Sequence, residues 1–288
     1  MRIGEAYGSG KFGLSFELFP PKTPAGETAL FGHVDQLVKF QPSFITCTYG
    51  AGGSTREKTL EIVQRVRQAY GCPVASHLTC VGATADQLRD FLREAERRGV
   101  DNIVALRGDP PRGESEFRPV AGGLRYANEL VTLIRREFPG FGIAVAGYPE
   151  THQEAPDPQT DLKNLKRKVE AGGDAVITQL FYNNRDFFRF RDACHDLGIT
   201  VPIVPGILPV TNFAQVQRIT SLCGASLPDD FVAALQACGE DPQRQFAVGV
   251  ECASRQVQEL REAGVPGIHF YVLNKSQATV AVLANLGL

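Results

Sequence analysis

The sequence predicts a single-domain (β/α)8 barrel. Eight short runs rich in β-branched and apolar residues alternate with longer amphipathic segments, the arithmetic of eight strand-helix units. Runs such as Asn102-Ile-Val-Ala-Leu106 and Pro202-Ile-Val-Pro205 are almost wholly apolar, so both faces are covered, as in a parallel sheet wrapped by helices. The length, 288 residues, suits one α/β barrel. An open doubly wound sheet is the alternative; eight regularly spaced units in this length favour closure.

Residues 1–12 precede the first strand and are expected to form a flexible arm. Strands follow near 14–19, 43–48, 74–80, 102–107, 142–148, 175–180, 202–207 and 268–272. Helices fit 28–40, 55–69, 85–98, 124–137, 158–171, 184–197, 211–222, 228–239, 242–263 and 275–286. In 55–69, Leu60, Ile62, Val63 and Val66 recur at helical spacing. Ser54-x-x-Glu57 and Thr84-x-x-Gln87 read as capping boxes, and Gly99, Gly172 and Gly198 stand where helices should end. Region 223–264 is irregular and carries extra helix between strands seven and eight.

The composition, 43% hydrophobic and 22% charged, is that of a globular protein with a full core. A net charge of −2, with no basic block longer than Lys166-Arg167-Lys168, gives no electrostatic case for nucleic acid or membrane partners. Seven cysteines without a C-x-x-C pair fit a reducing compartment, with neither a disulfide framework nor a zinc site. The five histidines show no metal-ligand spacing, and no metal is expected. No apolar signal core or 18-residue apolar run is present, so a cytoplasmic protein is expected.

One acid stands out. Glu17 lies inside the apolar run Ser15-Phe-Glu-Leu-Phe-Pro-Pro21, which two prolines stop. Burial disfavours a charged carboxylate and raises its pKa, so Glu17 is expected to be neutral and able to give a proton near neutral pH. Facing solvent from an edge strand is its other reading. A barrel carries chemistry at the C-terminal strand ends. Those ends hold Thr48-Tyr49-Gly50, His77-Leu78-Thr79, Arg107-Gly108-Asp109, Tyr148-Pro149-Glu150 with His152, Thr178-Gln179, and His269-Phe270-Tyr271 with Asn274-Lys275. Strand seven ends in the apolar Pro205-Gly206. Alone, His77 reads first as a satisfied core histidine, and Arg107/Asp109 equally as a structural ion pair; it is their convergence on one rim that points to a site.

In the helix over 158–171, Asp161, Asn164 and Lys168 share one face, with Arg167 beside them. That face is either solvated or grips the ribose and diphosphate of a nucleotide. Gly8-x-Gly10-x-x-Gly13 precedes the first strand and so is no dinucleotide fingerprint, whereas Gly50–Ser54 is placed to let a ligand approach backbone.

Together, Phe16-Glu-Leu-Phe-Pro-Pro21, Thr48-Tyr-Gly-Ala51, His77-Leu-Thr-Cys80, Ala105-Leu-Arg-Gly-Asp109, Ala146-Gly-Tyr-Pro-Glu150, Asn164-Leu-Lys-Arg-Lys168, Ile177-Thr-Gln179, Pro205-Gly-Ile-Leu-Pro-Val210 and His269-Phe-Tyr271 resemble methylenetetrahydrofolate reductase of the short bacterial type. The resemblance runs from about residue 14 to 288. It implies a barrel holding FAD non-covalently that reduces 5,10-methylenetetrahydrofolate to 5-methyltetrahydrofolate with NADH or NADPH, in a ping-pong scheme feeding methionine synthesis and one-carbon metabolism. It implies that Glu17 is the general acid, Asp109 a carboxylate near flavin and pterin, and Gln179 a contact to folate and nicotinamide. It implies flavin contacts at Thr48, Tyr49, Ala51, His77, Arg107, Gly108, Asp109, Ala127, Tyr148, His152, Ala155, Asp161, Asn164, Arg167 and Lys168. Substrate contacts fall on Glu17, Thr48, Asp109, Gln179, Gln215 and Lys275, and family habit implies a homo-oligomer.

Lys275 stands where the enteric bacterial form has arginine, keeping the charge but losing the planar fork. Ile219 stands where that form has phenylalanine, so stacking there is weaker. With nothing beyond residue 288, the resemblance implies the barrel alone, without the regulatory domain of eukaryotic enzymes or adenosylmethionine control. Rival readings are a flavin-free lyase or aldolase acting on a phosphorylated substrate, and a folate-binding barrel without turnover.

Overall fold

The strands close on themselves. In a computed structural model that describes residues 1–8, 10–49, 55–110, 113 and 116–288, β1 (Gly13–Leu18), β2 (Phe44–Cys47), β3 (Val74–Thr79), β4 (Asn102–Leu106), β5 (Gly142–Gly147), β6 (Ala175–Leu180), β7 (Ile203–Ile207) and β8 (Gly267–Tyr271) pair in chain order, and β8 returns to β1. All pairings are parallel. The open-sheet alternative is thereby excluded, and no solvent-facing edge is left for Glu17.

The helices stand close to their expected bounds. In order after α1 (Ile3–Gly8) they are α2 (Pro24–Leu37), α3 (Arg56–Tyr70), α4 (Ala85–Arg97), α5 (Ala127–Glu137), α6 (Pro158–Glu170), α7 (Asn184–Asp196), α8 (Phe213–Cys223), α9 (Asp229–Ala237), α10 (Pro242–Glu262) and α11 (Gln277–Asn285). The extra helix expected between β7 and β8 is present: α8, α9 and α10 all lie there. The Thr84–Gln87 capping box forms in both directions, at 2.9 and 3.3 Å. Ser54, the other expected cap, lies outside the described residues. Gly99, Gly172 and Gly198 take φ of +77°, +122° and +82° at helix ends, where a β-carbon would be strained.

The expected flexible arm is replaced by a plug. Ile3, Ala6 and Tyr7 recur at helical spacing, and α1 buries all three beneath the barrel with Phe44, Ala75, Val104, Ala144 and Ala175. The Ile3 amide donates to Asn102 Oδ1 at 2.7 Å. Glycines make the cradle. A β-carbon at Gly13 would come 2.8 Å from the Tyr7 ring, one at Gly267 2.7 Å from the same ring, and one at Gly142 2.8 Å from the Ile3 amide. Among the described residues, no helix is long and apolar enough to cross a membrane.

Candidate active site at the barrel mouth

Strand alternation turns Ser15 and Glu17 of β1 and His269 of β8 to the barrel interior, where His77 of β3 meets them. Glu17 is 6% exposed. His77 Nε2 lies 3.1 Å from Glu17 Oε2, close enough for an ion contact but off the hydrogen-bond axis. His269 Nε2 lies 3.5 Å from the same oxygen. Burial pushes the Glu17 carboxyl up, as the sequence suggests, but His77 and His269 beside it outweigh that and hold the pKa at about 2. The expectation of a neutral Glu17 is therefore corrected for the ligand-free barrel: the side chain is buried, yet it is ionised.

The other predicted residues gather above it. Tyr271, next to Glu17 in register, donates to the Thr178 carbonyl at 2.7 Å and crosses over Gly206, which has no side chain to block it. Its phenol is pushed up by burial first and then by Glu17 and Tyr148, so the three lie within electrostatic reach. Tyr148 is likewise raised by burial, then by Asp109 and Asp161. Asp109 is exposed at the end of β4. Gln179 is half-buried at the end of β6, its Oε1 accepting from the Leu180 amide at 2.9 Å. Tyr49 is buried and donates to Thr79 Oγ1 at 3.1 Å; the half-buried Thr48 accepts at its carbonyl from Thr59 at 2.8 Å.

A second group sits on β4, β5 and α6. Arg107 makes a bidentate pair with Glu154, at 2.5 and 2.6 Å, and lies 5.2 Å from the centre of the Phe117 ring. Beside it, Gly108 takes φ of +89° against Val81 and Thr79. Tyr148 and His152 meet edge to face at 4.6 Å, and the His152 amide donates to Asp161 at 2.9 Å. Lys168 Nζ reaches the Ala146 carbonyl at 2.6 Å, and burial lowers its pKa to about 8, opposed by Asp161. Asn164 and Arg167 remain exposed and bond each other at 2.8 Å. Ala127 opens α5, and the Ala155 amide bonds the His152 carbonyl at 2.9 Å. Gln215 on α8 and Lys275 after β8 are exposed. Ala51 lies outside the described residues.

The sequence places His269 among the strand-end residues of the rim but gives its side chain no partner, and it singles out neither Ser15, Tyr7 nor Glu154. Ser15 and His269 each lie two residues from a residue already singled out, on the same strand face; that alternation is the signal that could have found them.

The profile of the family described as methylenetetrahydrofolate reductase matches residues 2–287. The chain belongs to the methylenetetrahydrofolate reductase family. It is 40% identical over 278 residues to the 5,10-methylenetetrahydrofolate reductase of Escherichia coli, covering 96% of this chain and 92% of that protein. It is 39% identical over 297 residues to methylenetetrahydrofolate reductase (NADH) 1 of Zea mays, covering 100% of this chain and 50% of that protein. The chain thus spans about half the length of the plant relatives it matches. A solved protein from Clostridium thermocellum, described as binding two copies of 5-methyl-5,6,7,8-tetrahydrofolic acid, shares the fold with a TM-score of 0.68 at 15% identity, over 99% of this chain and 98% of that one.

Proposed function

We propose that the chain reduces 5,10-methylenetetrahydrofolate to 5-methyltetrahydrofolate at the expense of NADH or NADPH, with non-covalent FAD as the carrier, as a single-domain cytoplasmic homo-oligomer supplying methyl groups for methionine synthesis. The observation that carries the reading is Glu17, an acid gripped by two imidazoles beneath a rim of Asp109, Tyr148, Tyr271 and Gln179, in a chain of this family.

The donor set suits a dinucleotide with a diphosphate. Among the described residues Lys168 forms no ion pair, with Asp161 acting on it only at a distance, and it is shut in against a backbone carbonyl with its pKa lowered to about 8. An anionic diphosphate would relieve it, and Arg167 and Arg107 stand on the same side of the barrel. Arg107 would have to exchange Glu154 for the ligand. His152, Asp161 and Asn164 would supply polar partners for ribose and adenine, Tyr49, Thr48, His77 and Gly108 would line the flavin end, and Ala127 and Ala155 would offer backbone and small side chains. Flavin held there would carry hydride from nicotinamide to the one-carbon bridge of the folate, and the two substrates would share one face by turns, which would give ping-pong kinetics.

The protein's own work centres on a proton. Glu17 starts as an ion and would take a proton from solvent at the open mouth as the ligands settle over it, because further desolvation favours the neutral acid. Glu17 then gives that proton to the departing nitrogen of the five-membered bridge, which opens to an iminium carbon ready to accept hydride. Asp109 anchors the amino and ring N–H donors of the pterin. The Gln179 amide offers a donor and an acceptor to whichever substrate is present. Gln215 and Lys275 take the folate tail.

The test is spectroscopic. The purified protein is expected to carry the visible flavin band, to lose it on anaerobic addition of NADH or NADPH, and to regain it on addition of 5,10-methylenetetrahydrofolate. A colourless protein that fails to take up FAD, or a reduced one that the folate does not reoxidise, overturns the proposal.

A further inference from the structure

Beneath Glu17 a line of hydrogen bonds runs to the barrel floor. His269 Nε2 faces Glu17 Oε2 at 3.5 Å, His269 Nδ1 lies 2.6 Å from Ser15 Oγ, and Ser15 Oγ lies 2.5 Å from the Tyr7 hydroxyl. Each member is buried: His269 is 1% exposed, Ser15 0% and Tyr7 3%. The barrel is built around Tyr7, with Gly13 and Gly267 vacating the space of its ring and Phe44 meeting it edge-on at 5.8 Å. The Phe44 ring also stacks on His269 at 6.3 Å, fixing the imidazole plane.

The direction of the line follows from counting protons. Tyr7 has one hydroxyl proton, and among the described residues Ser15 Oγ is the partner the structure gives it. If Tyr7 donates to Ser15, the serine proton is free to go to His269 Nδ1. The neutral imidazole then carries its own proton on Nε2 and donates toward Glu17. With Nδ1–H donating to Ser15 instead, either Ser15 donates to Tyr7 and the buried phenol proton lacks an acceptor, or Ser15 accepts from both neighbours and its own proton lacks one among the described residues; each leaves a buried donor unpaired.

We propose that Tyr7, on the plug helix α1, is a positioning residue for the acid, its hydroxyl proton fixing through Ser15 the His269 tautomer that presents Nε2–H to Glu17. The assignment rests on Glu17 being the acid of the proposed reaction only for its functional consequence; the tautomer itself does not depend on it. Tyr7 ends the line and does not feed it, because burial pushes its phenol well above the ordinary range and keeps it protonated. The proton that Glu17 spends therefore returns from the mouth. The floor sets how firmly Glu17 holds its charge. The groups within electrostatic reach of Glu17 are His77 from β3, His269 and Tyr271 from β8 and Cys47 from β2. Burial keeps the thiol and the phenol protonated.

The test reads the imidazole directly. Nitrogen-15 NMR of histidine-labelled protein at about pH 8, above the ordinary imidazole range, with the His269 signals assigned by their loss in His269→Gln, is expected to show the Nε2–H tautomer in the wild type. Tyr7→Phe removes the donor while keeping the ring, and is expected to move His269 toward the Nδ1–H form. Ser15→Ala removes both the line and the acceptor that an Nδ1–H would need, so there His269 is expected to keep Nε2–H, and the shift is expected in Tyr7→Phe alone. With the bare Nε2 then facing the carboxylate, the alkaline limb of the folate half-reaction should rise by roughly one pH unit. A wild-type Nδ1–H tautomer, which is read whether or not the variant folds, or His269 signals unchanged in folded Tyr7→Phe, overturns the proposal even if the enzyme turns over. A tautomer shift in a protein without reductase activity would leave this inference standing and remove the functional reading instead.

Discussion

Glu17 Oε2 and His77 Nε2 sit 3.1 Å apart inside the barrel, with both side chains less than a tenth exposed. The pair joins β1 to β3 across β2, and with His269 from β8 it encloses one carboxylate oxygen between two imidazoles. This arrangement stores an ion where burial alone would leave a neutral acid. It also makes the protonation of Glu17 conditional on what covers it, which suits a group that must wait for substrate before it gives up a proton.

Glu17→Gln keeps the shape and removes the proton. The variant is expected to accept electrons from NADH or NADPH into bound flavin at close to the wild-type rate. Its folate half-reaction should fall by about 10²–10⁴-fold, the ordinary worth of a positioned general acid. Stopped-flow absorbance separates the two steps. Near-wild-type rates in both would remove Glu17 from the chemistry.

The same substitution tests the charge state. The Glu17 pKa is lowered from about 4.5 to about 2 on folding, so its ionisation contributes stability that is fully present above pH 4.5 and is lost as pH falls toward 2. Between pH 6 and pH 3 the wild type should lose about 2 kcal/mol more unfolding free energy than Glu17→Gln. Urea titrations at the two pH values measure the difference. Parallel losses would mean that Glu17 is not held as an ion.

The barrel was legible because each of its strands announces itself locally. Apolar runs such as Asn102–Leu106, bounded by glycine and by helical periodicity, need no knowledge of distant residues. The burial of Glu17 was legible for the same reason. Its charge was not, because the groups that set it come from β3 and β8, and His269 is 252 residues away in the chain. The plug helix was hidden by its brevity: six residues give little more than one turn of pattern, and their burial depends on glycines at 13, 142 and 267. Likewise, Arg107 was readable as a rim cation, but its partner Glu154 lies in a polar loop with no periodicity to place it. The mixed fate of the α6 face has a geometric cause. Lys168 turns in to Ala146 while Asn164 and Arg167 stay in water, and sequence spacing cannot separate those outcomes.

Lys168 should govern cofactor affinity in a pH-dependent way. Its ammonium has a pKa of about 8 in the ligand-free protein, so the cation is present below that value and is lost above it. FAD affinity, read by quenching of flavin fluorescence on titration into the apoprotein, is expected to fall as pH rises through 8. Lys168→Met should bind FAD about 10–100-fold more weakly at neutral pH, the range for losing a charged hydrogen bond, and should not show that decline. Equal affinity and an identical pH profile would place the diphosphate elsewhere.

Glu154 competes with the cofactor for Arg107. The two side chains meet through both guanidinium nitrogens, and Glu154 is 49% exposed, so water weakens the pair. If Arg107 must leave Glu154 to reach the ligand, then Glu154→Gln lowers the cost of that exchange. FAD should bind up to about fivefold more tightly, in keeping with an exposed pair worth up to ~1 kcal/mol. Arg107→Ala should bind more weakly, and the double variant should behave as Arg107→Ala does, because the carboxylate acts only through the guanidinium. Weaker binding in Glu154→Gln would show instead that the ion pair holds the β5–α6 loop in the shape the cofactor needs.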